Sequence, residues 1–355
     1  MNQILFVGGT FDDNGGRPSS LVNKFYEVMK ANGYGVDLYN GGSYSSIEML
    51  LGGTIHYNYV IWWPNIPNDK PKLRNVKDIN PKCILVTSKR NDDNKYGFAE
   101  LINRALEVKA NLCIQFSKWN DMYKMMLFDP LGNCWYDGMT ISDACLAMLN
   151  RMFFLAGITR QGCNHKEGNK NIPNDHEFFD IVKNYGDVFH DLIQPDKGVT
   201  RYLGNASFRC QRGFPSFKKH GQVYVSRRNV DKRYIDRDSF VPVSLKGDTL
   251  YYYGEHKPSV DTPIQTRLYK LLPNINYMMH AHVYIKDAPF TDHMIPCGGV
   301  EEVHEILAVI GKETNNDFYA INLLGHGSII MAKNLEQMKN IEYVARKMPE
   351  KVIEK

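Results

Sequence analysis

The chain has 355 residues, of which 43% are hydrophobic and 23% charged, an ordinary globular make-up with room for two domains. Its net charge of +4 is small, and its basic pairs, Lys218-Lys219 and Arg227-Arg228, are too short to form a nucleic-acid-binding stripe. No apolar run is long enough to cross a bilayer, the first residues read as a strand rather than a signal peptide, and the seven cysteines show no C-x-x-C spacing. A cytoplasmic protein with neither nucleic acid nor membrane as partner is expected.

The first half alternates strand-like and helix-like segments. Ile4–Gly8 is a short apolar run, and residues 20–32 carry helical apolar spacing with serines at the start. Apolar strands follow at 59–62 and 83–87, a helix at 98–109, a strand at 112–116 and a strongly apolar helix at 140–155. This alternation predicts a doubly wound, mostly parallel sheet over residues 1–162. Residues 163–174 lie in a polar stretch rich in Asn, Gly and Lys and are expected to be a linker. The second domain, 175–355, opens with a helix over 176–192. Short strands then follow at 207–211, 222–226, 239–243 and 250–254, with a helix at 263–272.

The chemistry-bearing pattern comes next. His280 and His282 sit two apart in the strand-like stretch Ile275–Ile285, and His326 lies between glycines in Ile321–Gly327. Residues two apart on a strand face the same way. Two imidazoles from one strand and a third from a neighbour make the three-ligand set of a catalytic metal site. Imidazole ligation suits Zn2+ and admits another divalent transition metal. The bland alternative is a packed or surface pair of histidines.

From about residue 175 onward the sequence resembles the class II aldolase/adducin family. Leu203–Arg209 is similar to the family's G-N-x-S-x-R segment. Val225–Lys232 followed by Asp238–Val243 is similar to its T-P-S-G-x-x-K and D-hydrophobic-V stretches, and Lys257–Ile264 resembles P-S-S-[DE]-T-P. His280, His282 and His326 fall where the family has its metal ligands. The resemblance implies an α/β/α sandwich around a mostly antiparallel sheet, usually assembled as a homo-tetramer. It also implies a metal-dependent aldolase or epimerase that acts on a sugar or sugar phosphate through a metal-stabilised enediolate. In that frame Asp261 is the acid/base residue, and Gly204, Asn205 and Ser259 contact substrate. Asp261 also suits the N-cap of the following helix, and Gly204-Asn205 also suits a simple turn.

The chain departs from the family where small phosphate-binding residues are usual, carrying Arg228 and Asn229 instead. Arg228 or Arg227 is either a guanidinium clamp for an anionic group or a solvated surface residue. A second catalytic acid cannot be aligned; Asp287, Asp292 and Tyr319 are open candidates, while His293 and His304 read as structural or exposed. Other family members are non-catalytic binding or scaffolding proteins, but typically without intact metal histidines.

In the first half, the glycine- and serine-rich loop Gly8–Ser20 leads into a helix and is suited either to a phosphate or to plain connection. It matches neither G-x-G-x-x-G nor G-x-x-x-x-G-K-[ST], so no nucleotide cofactor is assigned. A nucleotide-related role for this domain remains the alternative to an assembly role. Of the neighbours Trp62 and Trp63, one is expected in the core and one towards the crevice.

Overall fold

A computed structural model describes residues 3–67, 70–74, 76–119, 122–190, 202–210 and 222–355. The chain forms two compact units, 1–157 with 348–351, and 158–347 with 352–355. Among the described residues no helix is long and apolar enough to cross a membrane.

The first unit runs β1 (Gln3–Asp12), α1 (Ser20–Ala31), β2 (Gly35–Ser43), α2 (Tyr44–Gly53), β3 (Tyr59–Asn65), α3 (Val76–Ile79) and β4 (Cys83–Arg90). It continues with α4 (Phe98–Glu107), β5 (Leu112–Trp119), β6 (Met122–Phe128), β7 (Asn133–Gly138) and α5 (Ile141–Gly157). The strands β2-β1-β3-β4-β5 are parallel, and β6 and β7 add antiparallel on the β5 side. Glu350–Lys351 closes that edge beside β7. Alternate strand residues feed opposite faces. Phe6, Ile61, Val86 and Ile114 pack under α1 and α5, while Leu5, Val60 and Leu85 pack under α2 and α3. The unit is therefore doubly wound, with β1 and β3 at the place where strand order reverses. Ser19 caps α1, its side chain accepting from the Val22 N–H at 3.4 Å.

Trp62 and Trp63 turn to opposite faces, as strand neighbours do, and each enters a core. Both are buried, Trp62 in the cluster under α2 and α3 and Trp63 in the one under α1 and α5. A sheet covered on both faces gives each neighbour a core to enter.

The second unit contains β8 (His165–Glu167), α6 (His176–Asn184), β9 (Asn205–Arg209), β10 (Val223–Ser226), β11 (Phe240–Lys246), β12 (Thr249–Tyr253), α7 (Thr262–Leu271) and β13 (Tyr277–Ala281). Then come β14 (Tyr284–Ile285), α8 (Glu302–Ile310), β15 (Phe318–Leu323), β16 (Gly327–Ala332) and β17 (Tyr343–Val344). One sheet, ordered β15-β16-β13-β9-β10-β11-β12-β8, is antiparallel except where β8 meets β12. The stretch 163–174, read from sequence as a linker, thus contributes an edge strand, because three polar residues can pair through their backbones at a solvated sheet edge. The helix expected over 176–192 ends at Asn184; residues 191–192, together with Lys218-Lys219 and Gln211, lie outside the described set.

Helices cover both faces of this sheet. Phe178, Phe179 and Val182 of α6 pack on Ala206, Phe208, Met279 and Ala281. Ile264 and Leu268 of α7, with Val303 and Ile306 of α8, pack on Met278, Ile329 and Met331. The sandwich is α/β/α. Period-two alternation places Asn205 and His280, register partners across β9 and β13, on the α7/α8 side.

Candidate metal centre

Three separate pieces of backbone deliver the histidines. His280 lies on β13, but the strand ends at Ala281 and His282 stands in the bend after it, while His326 occupies the turn between β15 and β16. The two-apart strand geometry expected from sequence is thus replaced by a strand end and a hairpin turn. The rings still converge, with centroids 4.9 Å (His280–His282), 4.7 Å (His280–His326) and 5.2 Å (His282–His326) apart.

Two glycines permit this approach. A Cβ on Gly327, whose φ is +143°, would stand 2.1 Å from the Ala281 carbonyl oxygen and 2.7 Å from the His282 Cα. Gly327 therefore lets the β15–β16 hairpin lie against the end of β13. A Cβ on Gly204, with φ +68°, would meet the His280 carbonyl oxygen at 2.5 Å. Only glycine accepts such a conformation and such contact at little cost.

The second nitrogens fix the rings. His280 Nδ1 is 2.9 Å from the Ser328 carbonyl oxygen, which must accept the ring's proton there and leaves the lone pair on Nε2. His326 Nδ1 is 2.5 Å from Glu302 Oε1, a fully buried carboxylate in the first turn of α8. This carboxylate–imidazole pairing orients a metal-binding histidine and raises its basicity. His280 Nε2 and His282 Nδ1 are buried and have no hydrogen-bond partner, an arrangement that costs on the order of 1–3 kcal/mol for each such group.

Electrostatics leave two of the three rings neutral and ready to ligate. Burial, reinforced by His326, pushes His280 down to about 4, and burial with its histidine neighbours holds His282 well below the usual imidazole range. Both stay neutral near pH 7, as ligation requires. Burial acts to lower His326 too, but the Glu302 carboxylate and Cys297 lift it well above its ordinary value.

One donor atom from each histidine lies within 4.8 Å of the others. Three nitrogens at metal-bond distance from one ion stand about 3.4 Å apart, so modest ring rotations bring them together. The partnerless buried nitrogens and the neutral rings of His280 and His282 fit a divalent metal.

Asp261 is 6% exposed and precedes α7. Its Oδ2 accepts from Asn205 Nδ2 at 2.8 Å and its Oδ1 from the Gly298 N–H at 2.8 Å. Asp261 occupies the N-cap position of α7, as its place in the sequence suggests, but its side chain makes no capping bond there. Asn205 is held in turn by Gln265. Ser259 is buried, and its Oγ accepts from the Asp261 N–H at 3.3 Å. Arg228 is exposed and donates from Nε to the Pro258 carbonyl oxygen at 3.0 Å.

Two of the three candidates for a second acid have other engagements. Asp292 pairs with Lys355 at 3.2 Å, and Tyr319 Oη accepts from the Asn316 N–H at 3.0 Å. Asp287 is exposed. His293 pairs with Glu305, and His304 is exposed.

Sequence reasoning missed three residues around the centre. Glu302 carries no motif; only its fold position beside His326 reveals it. Cys297 Sγ is 3.1 Å from His326 Nε2. Lys232, 1% exposed, donates from Nζ to the Leu203 carbonyl oxygen at 2.8 Å, and burial pushes it down to about 7 against the pull of Asp231 and Asp261. Its place in the K-containing motif was a usable signal.

Residues 189–286 match the family described as class II aldolase and adducin N-terminal domain. The C-terminal unit carries a class II aldolase/adducin domain. Among curated proteins none matches the sequence. Solved structures similar to parts of the chain include YgbL, a putative aldolase/epimerase/decarboxylase from Escherichia coli. That likeness has 14% identity, covers 48% of this chain and 92% of that one, and has a TM-score of 0.32. L-fuculose-1-phosphate aldolase from Thermus thermophilus is similar at 16% identity, over 44% of this chain and 80% of that one, with a TM-score of 0.30. The DNA/pantothenate metabolism flavoprotein from Streptococcus pneumoniae is similar at 12% identity, over 43% and 98%, with a TM-score of 0.33.

The first unit of the chain has a candidate site of its own. A cavity of about 320 Å³ lies at the ends of β1, β3 and β4, lined by Thr10, Arg17, Ser19, Trp63, Ser88 and Arg104 among others. A neighbouring cavity of about 330 Å³ shares Asn65, Thr87 and Arg104 with it and is also lined by Trp62.

Proposed function

We propose that the aldolase/adducin domain is a metal-dependent lyase or epimerase acting on a small hydroxylated carbonyl compound, a sugar or sugar phosphate. The observation that carries this reading is the pair of buried, partnerless imidazole nitrogens on His280 and His282 beside His326. His280, His282 and His326 would hold the ion, Zn2+ or another divalent transition metal. When bound, it supplies Lewis-acid polarisation of substrate oxygens.

The protein's own groups then have distinct tasks. Asp261 takes up and returns the substrate proton. Each of its oxygens accepts one hydrogen bond from the protein, which fixes the carboxylate plane and leaves a lone pair on each oxygen for that proton. Asn205, Ser259 and Gly204 become positioning residues, the first two for Asp261 and the last for the His280 backbone. Glu302 holds the His326 ring. Arg228 is the candidate for an anionic end of the substrate, its planar fork suiting phosphate or carboxylate. A homo-oligomer is part of this reading and is checked by light scattering.

The test is a panel of ketose and aldose phosphates offered to the metal-reconstituted full chain, with cleavage products and epimers measured. Turnover of one member, lost about 10²–10⁴-fold in Asp261→Asn with metal content retained, is the expected result. A fully metal-loaded protein that turns over none of the panel would overturn it in favour of a non-catalytic binding role.

A second reading concerns the first unit alone. We infer that its crevice binds a phosphorylated, nucleotide-like ligand, a reading favoured by the cavity at the strand-order reversal beside the α1 N-terminus and by Arg17 and Arg104 in its lining. Calorimetric titration of the full chain with ADP, repeated on Arg17→Ala, tests it; no heat with the wild type would sink it.

A further inference from the structure

Two donor sets share one residue. His280, His282 and His326 form the first, and Asp261, Cys297 and His326 the second, each set having its donor atoms within 4.8 Å of one another. His326 is common to both, and its Nδ1 is committed to Glu302. Its Nε2 is therefore the atom that faces a metal, and Cys297 Sγ stands 3.1 Å from that nitrogen.

The second set offers two further donors, and their commitments differ. Both oxygens of Asp261 are anchored, one by Asn205 and one by the Gly298 N–H. The Cys297 thiol's hydrogen bond is to the very nitrogen that ligation would occupy. Once an ion takes the His326 lone pair, that contact no longer satisfies the thiol. Bonding to the ion replaces it. The position is also built: Gly298 follows Cys297 at φ +77° and is bonded through its N–H to Asp261, so the backbone that carries the sulfur is fixed against the acid/base residue.

We propose that Cys297 is the fourth ligand of the resting metal centre, making it a three-histidine, one-thiolate site. On binding, the thiol proton of Cys297 and the proton on His326 Nε2 both go to solvent, and nitrogen–metal and sulfur–metal bonds form in their place. Tetrahedral coordination by nitrogen and sulfur favours zinc and cobalt over the harder manganese and magnesium. In this account Asp261 remains outside the coordination shell and available to substrate, and the thiolate is the ligand that substrate oxygens displace. The proposal rests on the metal-site reading above and refines it.

The test uses the full chain, stripped of metal and reloaded with cobalt(II), in wild type, Cys297→Ser and His282→Ala. Visible ligand-field absorption reports cobalt in the site. An intense near-ultraviolet sulfur-to-cobalt charge-transfer band reports thiolate ligation. The expected result is both signals in the wild type at one cobalt per chain, with the charge-transfer band gone and cobalt retained in Cys297→Ser. Stoichiometric cobalt without that band in the wild type, or the same band surviving in Cys297→Ser, would overturn the cysteine ligand and leave the histidine site standing. Failure of the wild type to bind cobalt, or binding undiminished in His282→Ala, would remove the histidine site and this proposal together.

Discussion

The two units bury polar groups for different reasons. In the first, Asn80 and Asp129 pair with the backbone and with neighbouring side chains. Asn80 Nδ2 donates to the carbonyl oxygens of Thr54 and Tyr57 at 2.8 and 3.1 Å, and Asp129 accepts from the Leu131 N–H and from the Asn133 and Trp135 side chains. These pairings close turns between apolar layers. In the second, polar side chains are buried beside one another on the α7/α8 side: Asn205, Asp261, Gln265, His280, Glu302 and His326. There, the neighbouring imidazole nitrogens His280 Nε2 and His282 Nδ1 both lack a protein partner, whereas the partnerless Trp62 Nε1 of the first unit stands in an apolar cluster. A buried polar group is tolerated when paired, so a nitrogen left unpaired within a well-bonded network marks where something else belongs.

The contrast is broken most severely by removing a ligand. His326→Ala should abolish stoichiometric metal binding and lower turnover by about 10³-fold or more, whereas Trp62→Phe in the first unit should leave metal content unchanged; both are read by elemental mass spectrometry and assay. Next in size is Gly327→Ala. Its Cβ cannot coexist with the Ala281 carbonyl oxygen at 2.1 Å, and the variant should lose about 3 kcal/mol of stability, measured by chemical denaturation. Retained stability there would mean that the hairpin does not press on β13.

Glu302→Gln sharpens the comparison, because it keeps the shape and removes the charge behind His326. Metal affinity should fall about 10–100-fold in competition with a chelating dye, with the fold intact by circular dichroism. The smallest effect concerns Lys232. Its native value of about 7 lies below the ordinary 10.5, so between these values the unfolded chain holds the extra proton and stability rises with pH. From pH 7 to 9 that rise amounts to about 2 kcal/mol. Lys232→Met should abolish this part of the slope in denaturation curves; an unchanged slope would show that the amine is not the group responsible.

Much of the architecture was legible from sequence because it rests on periodicity. The apolar runs at Ile4–Gly8, 59–62 and 83–87 became β1, β3 and β4, and the helical spacing after Ser19 became α1. Elements that lack a strong pattern were not foreseen. β2, β6 and β7 mix polar and apolar residues, and His165–Glu167 pairs through its backbone alone at a sheet edge, which no side-chain pattern announces. The histidine cluster was visible as residue types in family order, yet its geometry was not. His282 lies past the end of β13 and His326 in a turn, and the approach depends on Gly327, whose role is set by a contact with a residue 46 positions earlier. Glu302 and Cys297 lie beyond local pattern for the same reason, since their meaning comes only from the nitrogens of His326 they face.

The central claim is that His280, His282 and His326 hold a metal ion. The direct measurement is the metal content of the purified wild type and of His282→Ala, by mass spectrometry after reconstitution and dialysis. The account predicts near-stoichiometric zinc or another divalent transition metal in the wild type and its loss in the variant. No metal in the wild type, or equal content in both, would contradict it.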